Sequence, residues 1–181
     1  GVETRGNFYE GIGALRDMAQ SHLLELLAAV AMKPQSYDSA GIRDARAKII
    51  SSINPIAPSE VEQFVVRGQY GDTKNFEKNK KASLTERIKA YCEEPNVSPR
   101  SNTETFIALK LILNDSRWEG VPFYLRTGKR LKKKVTEISV IFKPPRHTLF
   151  RNNQNLPGNV LTFRLEPNEG ITILFNAKNS L

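Results

Sequence analysis

WEGVPFYLRTGKRLKKK, residues 118–134, places a short apolar segment directly before a dense group of positive charges. The apolar part, VPFYL at 121–125, is short and rich in aromatic and β-branched side chains, as a strand should be. Gly128 follows Thr127 and permits a positive φ and a close approach of the backbone to a ligand. Six cationic side chains occupy the last nine residues: Arg126, Lys129, Arg130, Lys132, Lys133 and Lys134.

These cations have three interpretations. A run of lysine and arginine most often forms a solvated surface or turn, and a nucleic-acid patch is the next alternative. Cations held in place by a strand also suit the recognition of a compact dianion such as a phosphate monoester. Aromatic side chains are not interleaved through the lysine run, which weakens a stacking platform for single-stranded nucleic acid.

The composition is ordinary for a soluble globular domain. The chain has 181 residues, 39% of them hydrophobic and 25% charged, which suits one domain or one large piece of a longer protein. A net charge of +8 fits an anionic ligand, either small or polymeric. Cys92 is the only cysteine, so an internal disulfide is excluded and a reducing, cytoplasmic location is expected. No run of apolar residues is long enough to span a membrane.

Two helices are predicted ahead of the cationic segment. The first covers residues 12–32, where apolar side chains recur at steps of three and four before Pro34. The second covers residues 39–53, with Asp38 or Ser39 as its N-cap. Residues 71–102 are polar and contain one short predicted helix near 85–91.

Strands dominate the rest of the chain. Short β-branched or alternating segments predict strands at 63–70, 103–113, 121–125, 136–142, 160–165 and 171–175. Helices first and strands afterwards indicate an α+β fold, in which N-terminal helices pack on a large, mainly antiparallel sheet. No G-x-G-x-x-G follows a strand, so no Rossmann domain is predicted within this chain.

Several segments together resemble one enzyme family. GVPFYLRTGKRL resembles the substrate-loop segment of glucose-6-phosphate dehydrogenases. GVETRGNFYEGIGALRDMAQSHLLELLAAVAM, at 1–32, is similar to the segment with which that family begins its substrate-domain helix. The same family is also resembled by three further features: VVRGQY at 65–70, SNTETF at 101–106 and Trp118. The resemblance therefore covers nearly the whole chain.

The resemblance implies a role for each site residue. His22 matches the family's catalytic base, and Asp17 matches the carboxylate that hydrogen-bonds the sugar hydroxyls. Lys129 and Lys134 match the cations that hold the phosphate. Ser21 stands where the family usually has asparagine, a difference to which no chemical role is attached. The implied reaction is oxidation of glucose 6-phosphate to 6-phosphogluconolactone, with NADP or NAD as hydride acceptor.

Without the resemblance, two of these residues have simpler interpretations. His22 lies close to the apolar stripe of its predicted helix and would be a satisfied core or interface residue. Asp17 would be a surface charge near a helix start. The two are five positions apart, which is about 140° around an α-helix. On such a helix they would reach a ligand from different sides.

The resemblance also implies what lies outside residues 1–181. They correspond to a C-terminal domain fragment, and the dinucleotide-binding domain of the family precedes it, so the isolated chain is expected to be inactive. A homodimer or tetramer through the sheet domain is expected, with no metal, nucleic-acid or membrane partner. The alternatives are a catalytically dead, dehydrogenase-like regulatory or interaction protein and a basic nucleic-acid-binding module.

Overall fold

The structure, a computed structural model, describes residues 1–72, 89–144 and 157–177. The chain forms two compact units, Gly1–Arg130 and Leu131–Leu181. Most of the short helix predicted near 85–91 lies outside the described residues, although Tyr91–Glu93 forms a 3-10 turn.

The N-terminal helix is longer and less regular than predicted. It consists of α1 (Gly6–Ala14), a π-helix (Leu15–Leu23) and α2 (Leu24–Ala31). Gly13 interrupts α1 with φ 67° and ψ 177°, a conformation that only glycine adopts readily. A Cβ at Gly13 would also lie 2.5 Å from Oε1 of Glu104. The helix predicted over residues 12–32 is therefore present from Ala14 to Ala31, after the break at Gly13, but its first half is a π-helix and a further helical segment precedes the break.

The second helix forms as predicted. α3 (Ser39–Ser51) begins after Asp38, whose Oδ1 accepts a hydrogen bond from the backbone N–H of Gly41 at 2.7 Å. This side-chain cap satisfies one of the free N–H groups of the first turn. A short helix, α4 (Val61–Phe64), which the pattern did not predict, leads into the first strand.

The first unit contains a three-stranded antiparallel sheet, in the order β1-β2-β3. Its strands are β1 (Val65–Gly68), β2 (Phe106–Ile112) and β3 (Pro122–Gly128). β2 is central, and its buried side chains, Ile107 and Leu111, share two apolar clusters with the helices.

The core lies between the helices and β2. Buried residues of both clusters come from the helices, from β2 and from the turns around them: Val2, Tyr9, Ala14, Ala19, Leu27, Ala28, Ala31, Ile49, Tyr91, Val97, Ile107, Leu111 and Leu113. Trp118 stabilises the C-terminal end of α2, because its Nε1 donates a hydrogen bond to the carbonyl of Ala31 at 3.0 Å.

The second unit is a separate three-stranded antiparallel sheet, in the order β4-β5-β6. Its strands are β4 (Thr136–Ile141), β5 (Val160–Glu166) and β6 (Gly170–Leu174). All six predicted strands are present, with ends shifted by a few residues. The predicted α+β class with antiparallel strands is confirmed, and the described strands form two three-stranded sheets where one large sheet was predicted. Within the described ranges, no helix has the length and apolar character needed to cross a bilayer.

Glu104, two residues before β2, joins the helices to the sheet. Its backbone carbonyl accepts from the N–H of Ala14 at 2.9 Å, and its Oε1 accepts from the N–H of Leu15 at 3.0 Å. Its Oε2 accepts from Nη2 of Arg67 on β1 at 2.8 Å. Burial alone would raise the pKa of Glu104, but the hydrogen bonds from Leu15 and Arg67 outweigh it and lower the pKa.

Replacing Glu104 should test this junction. Glu104→Ala is expected to lower the free energy of unfolding by about 1–3 kcal/mol, because the N–H of Leu15 loses its acceptor. Glu104→Gln, which keeps an acceptor oxygen, should lose less. Urea denaturation at neutral pH measures both, and equal stability of Glu104→Ala and the unsubstituted protein would contradict the role.

The free energy of unfolding of Glu104→Gln and of the unsubstituted protein, measured by urea denaturation at several pH values, gives a second test. The folded pKa of Glu104 is below its ordinary value of 4.5, so its ionisation stabilises the fold above that pH. This contribution is lost as the pH falls through the folded pKa. Glu104→Gln should therefore lose less stability than the unsubstituted protein when the pH is lowered below 4.5.

Candidate functional site

Asp17 and His22 lie on the π-helix. The N–H of Leu24, which follows it, donates to the carbonyl of Ala19, five residues earlier. In this geometry five residues make roughly one turn, because the hydrogen bond joins residues i and i+5. Asp17 and His22 are therefore one turn apart on the same side of the helix. The expectation that they approach a ligand from different sides is wrong, since it assumed a regular α-helix.

Ser21 supports the wide turn. Its Oγ lies 2.8 Å from the carbonyl oxygen of Asp17 and 2.9 Å from that of Arg16, so the hydroxyl can donate to either. A hydrogen bond of this kind holds the backbone that carries Asp17. No role was expected for Ser21 from the sequence. The available signal was its spacing, since a hydroxyl four residues after Asp17 can bond back to that residue's carbonyl.

Lys129 is placed by the end of the sheet. It follows Gly128, the last residue of β3, and its backbone N–H donates to the carbonyl of Thr105 at 2.8 Å. Thr105 is fully buried, and its Oγ1 accepts from the N–H of Tyr70 at 2.9 Å. Lys129 therefore projects from a backbone that is hydrogen-bonded on the buried side.

The structure brings Lys129 and Asp17 together. Nζ of Lys129 lies 3.9 Å from Oδ2 of Asp17, and both side chains remain about a quarter exposed, at 22% and 27%. This distance is an ion pair without a short hydrogen bond. His22, one turn further along the π-helix, is exposed. A carboxylate, an ammonium group and an imidazole are thus carried by two elements that meet.

Tyr9 is a further residue of this site, beside Lys129. Nζ of Lys129 lies over its ring, 5.1 Å from the centroid. Tyr9 is 3% exposed, and its hydroxyl has no hydrogen-bond partner among the residues that the structure describes. Burial raises the pKa of Tyr9, and the negative charges of Asp17 and Glu104 raise it further. No sequence signal marked this residue.

Arg130 has a different environment from its neighbour. Its guanidinium lies 5.1 Å from the ring centroid of Tyr70, and Nη2 donates to Oε1 of Glu94 at 2.9 Å. The hydroxyl of Tyr70 donates to the same oxygen at 2.8 Å. Burial alone would raise the pKa of Glu94, but these two hydrogen bonds lower it. Arg130 is thus neutralised by a buried carboxylate.

The turn after β3 also differs from the expectation for Gly128. Gly128 still belongs to the strand, opposite Phe106. Arg130 is the residue in this turn with a positive φ, 55°. The left-handed conformation therefore falls two residues later than the glycine suggested, at the residue that the ion pair with Glu94 holds.

Lys134 belongs to the second unit. Its Nζ lies 3.0 Å from Oε1 of Glu166, and its side chain is 89% exposed. An ion pair between two exposed side chains contributes about 0–1 kcal/mol. An anion in solution can therefore replace Glu166 as the partner of Lys134 at little cost.

The residues around Lys129 suit a polyhydroxylated anion. An ammonium group accepts a phosphate oxygen as a partner, and a carboxylate accepts hydrogen bonds from hydroxyl groups. Imidazole can take up a proton near neutral pH. Within residues 1–72, 89–144 and 157–177, no group of three or more His, Cys, Asp or Glu side chains could hold a metal ion.

Comparison with known proteins places the whole chain in one family. Residues 1–181 match the family described as glucose-6-phosphate dehydrogenase, C-terminal domain. The glucose-6-phosphate 1-dehydrogenase of Bacillus subtilis (strain 168) is 43% identical over 98% of this chain. That of Aggregatibacter actinomycetemcomitans is 45% identical over 98%. The chain spans 35% and 34% of the length of these two relatives.

Solved structures agree. A glucose-6-phosphate 1-dehydrogenase from Mycobacterium avium matches with a TM-score of 0.79 and 32% identity, over 99% of this chain and 36% of that one. A glucose-6-phosphate dehydrogenase in complex with its substrate glucose 6-phosphate matches with a TM-score of 0.81 and 32% identity, over 99% and 34%. Because the helices, the antiparallel sheets and the family match over residues 1–181 agree, this chain belongs to the glucose-6-phosphate dehydrogenase family, as a C-terminal domain.

Proposed function

We propose that this chain is the substrate domain of a glucose-6-phosphate 1-dehydrogenase and that Asp17, His22 and Lys129 form its share of the active site. The observation that carries the proposal is the 3.9 Å approach of Lys129 to Asp17, one helical turn from His22. A family member of known structure binds glucose 6-phosphate, which supports this ligand class.

Each residue has one task in the proposed reaction. His22 accepts the proton of the hydroxyl on the hemiacetal carbon. Asp17 accepts hydrogen bonds from sugar hydroxyls and so restricts the reacting carbon to a productive pose. Lys129 binds the phosphate, and Lys134 is proposed as a second phosphate ligand. Because the ion pair between Lys129 and Asp17 is long, a phosphate can replace the carboxylate without breaking a short hydrogen bond.

Bound NADP or NAD would supply the acceptor for the hydride of the same carbon, whose loss together with the hydroxyl proton gives the lactone. The described residues include no strand followed by a glycine-rich turn and a helix, the unit that binds a dinucleotide phosphate. We therefore assign dinucleotide binding to another domain of the full-length enzyme, in the cytoplasm as the sequence suggests.

Self-association is part of the proposal. The second unit exposes several large apolar side chains on and after β6, each more than 60% accessible: Ile171, Ile173, Leu174 and Phe175. Exposed apolar groups of this size favour burial against another surface. They support the expected homodimer or tetramer through the sheet domain.

Replacing the proposed base should affect turnover. In the full-length enzyme, His22→Ala is expected to lower kcat by roughly 100- to 10,000-fold, because no positioned group remains to accept the proton. The KM for glucose 6-phosphate should change little. Steady-state NADP or NAD reduction measures both constants. Gln20→Ala, an exposed position on the same π-helix, is the matched control, and unchanged turnover in His22→Ala would refute the assignment.

Replacing the proposed phosphate ligand should affect substrate affinity. Lys129→Ala is expected to raise the KM for glucose 6-phosphate by about 10- to 100-fold, because a charge-assisted hydrogen bond is lost. The KM for the dinucleotide should not change. Lys133→Ala, an exposed lysine of the same run, is the control. A selective loss of dinucleotide affinity would instead assign the lysine to the cofactor.

The isolated chain should not reduce a nicotinamide dinucleotide in the presence of glucose 6-phosphate. The physical reason is that hydride transfer requires a bound acceptor next to the sugar, and we assign that acceptor to another domain. Absorbance of the reduced dinucleotide measures the reaction, with the full-length enzyme as positive control. Turnover by the chain alone would show that it binds the dinucleotide itself.

A further inference from the structure

The two neighbouring cations, Lys129 and Arg130, are held in different ways. Arg130 donates to the buried carboxylate of Glu94 at 2.9 Å. Lys129 has a carboxylate, Asp17, at the longer distance of 3.9 Å, and its ammonium lies 5.1 Å from the ring centroid of Tyr9. Arg130 also lies 5.1 Å from the ring centroid of Tyr70. The two cations therefore differ in their carboxylate contact, which is a short hydrogen bond for Arg130 and a longer ion pair for Lys129.

These two ways of holding a cation have different consequences. A carboxylate neutralises the cation and occupies its N–H donors. The face of an aromatic ring attracts the cation through its quadrupole and carries no net charge. An ammonium over a ring thus keeps its charge and can direct its N–H groups to another ligand.

We propose that the ring of Tyr9 is an aromatic seat, which fixes the ammonium of Lys129 without occupying its N–H donors, so that they can turn from the long contact with Asp17 to a phosphate. This role of Tyr9 as a positioning residue depends on the assignment of Lys129 as a phosphate ligand made above. It adds to that assignment a residue that does not contact the substrate.

The aromatic seat is held firmly in the core. Tyr9 is 3% exposed and packs edge-to-face on the buried ring of Tyr91, with centroids 6.1 Å apart. The hydroxyl of Tyr91 donates to Oε1 of Glu10 at 2.8 Å, and Ser101 donates to the same carboxylate oxygen. The ring of Tyr9 therefore has a fixed position next to Lys129, because the ring of Tyr91 on which it packs is itself held by a hydrogen bond to Glu10.

The ring of Tyr9, and not its hydroxyl, carries the proposed role. That hydroxyl is buried and makes no hydrogen bond with any residue in the described part of the chain. Removing a buried hydroxyl that lacks a partner costs little and can stabilise a protein. Tyr9→Phe should therefore keep the KM for glucose 6-phosphate within about twofold in the full-length enzyme, since the phenyl ring can still make the cation–π contact with Lys129.

Fluorination of the ring provides the decisive test. Phenylalanine at position 9 is compared with mono-, di- and trifluorinated phenylalanine, which keep the shape but weaken the negative face of the ring. The KM for glucose 6-phosphate should rise stepwise with each fluorine, to about 3- to 30-fold in total. The kcat should stay nearly constant, because the reacting carbon is held by other residues. Inorganic phosphate, used as a competitive inhibitor, should lose affinity by the same factor.

The same series in a Lys129→Ala background separates the aromatic seat from a general packing role. If Tyr9 acts through Lys129, fluorination should no longer change the KM once the ammonium is gone. A packing role would give the same change in both backgrounds. A KM that does not respond to fluorination in the enzyme with Lys129 would overturn the proposal.

The outcomes for Lys129 and Tyr9 can be told apart. If Lys129→Ala leaves the KM for glucose 6-phosphate unchanged, the assignment of Lys129 as a phosphate ligand fails. The proposed role of Tyr9 then fails as well, because it acts through Lys129. If Lys129→Ala raises the KM but fluorination of position 9 has no effect, only the aromatic seat is wrong. Thermal melting of each variant confirms that it is folded.

Discussion

The hydrogen bonds made by Glu104 and Thr105 hold the site together. These two residues immediately precede the central strand β2 and are both buried. The backbone carbonyl of Glu104 and its Oε1 accept from the N–H groups of Ala14 and Leu15, where the π-helix begins. The next carbonyl, that of Thr105, accepts from the N–H of Lys129. Asp17 and Lys129 therefore meet because one dipeptide fixes both of the backbones that carry them.

Much of the fold could be predicted from local patterns. Alternating and β-branched segments located all six strands, and Asp38 was one of two predicted N-caps for α3. These features depend on residues close in sequence, which a pattern can show. The helical segment before Gly13 was not predicted, and the break at Gly13 depends on the carboxylate of Glu104, which lies close in space but far along the chain.

The candidate site likewise combines residues that the sequence indicated with features that it could not indicate. Its residues were proposed from family resemblance, and the ion pair between Asp17 and Lys129 is consistent with a shared role. The face on which Asp17 and His22 lie was predicted wrongly, because residue spacing alone does not reveal a π-helix. Tyr9 was missed because nothing in its neighbouring sequence indicates that its ring faces a lysine from the end of β3.

The π-helix accommodates a five-residue separation between Asp17 and His22. In a regular α-helix, residues four positions apart share a face, whereas residues five positions apart do not. The wider turn therefore lets this pair share a face. Loss of one residue between them, with closure to an α-helix, would keep the pair on one face, whereas closure without that loss would separate them.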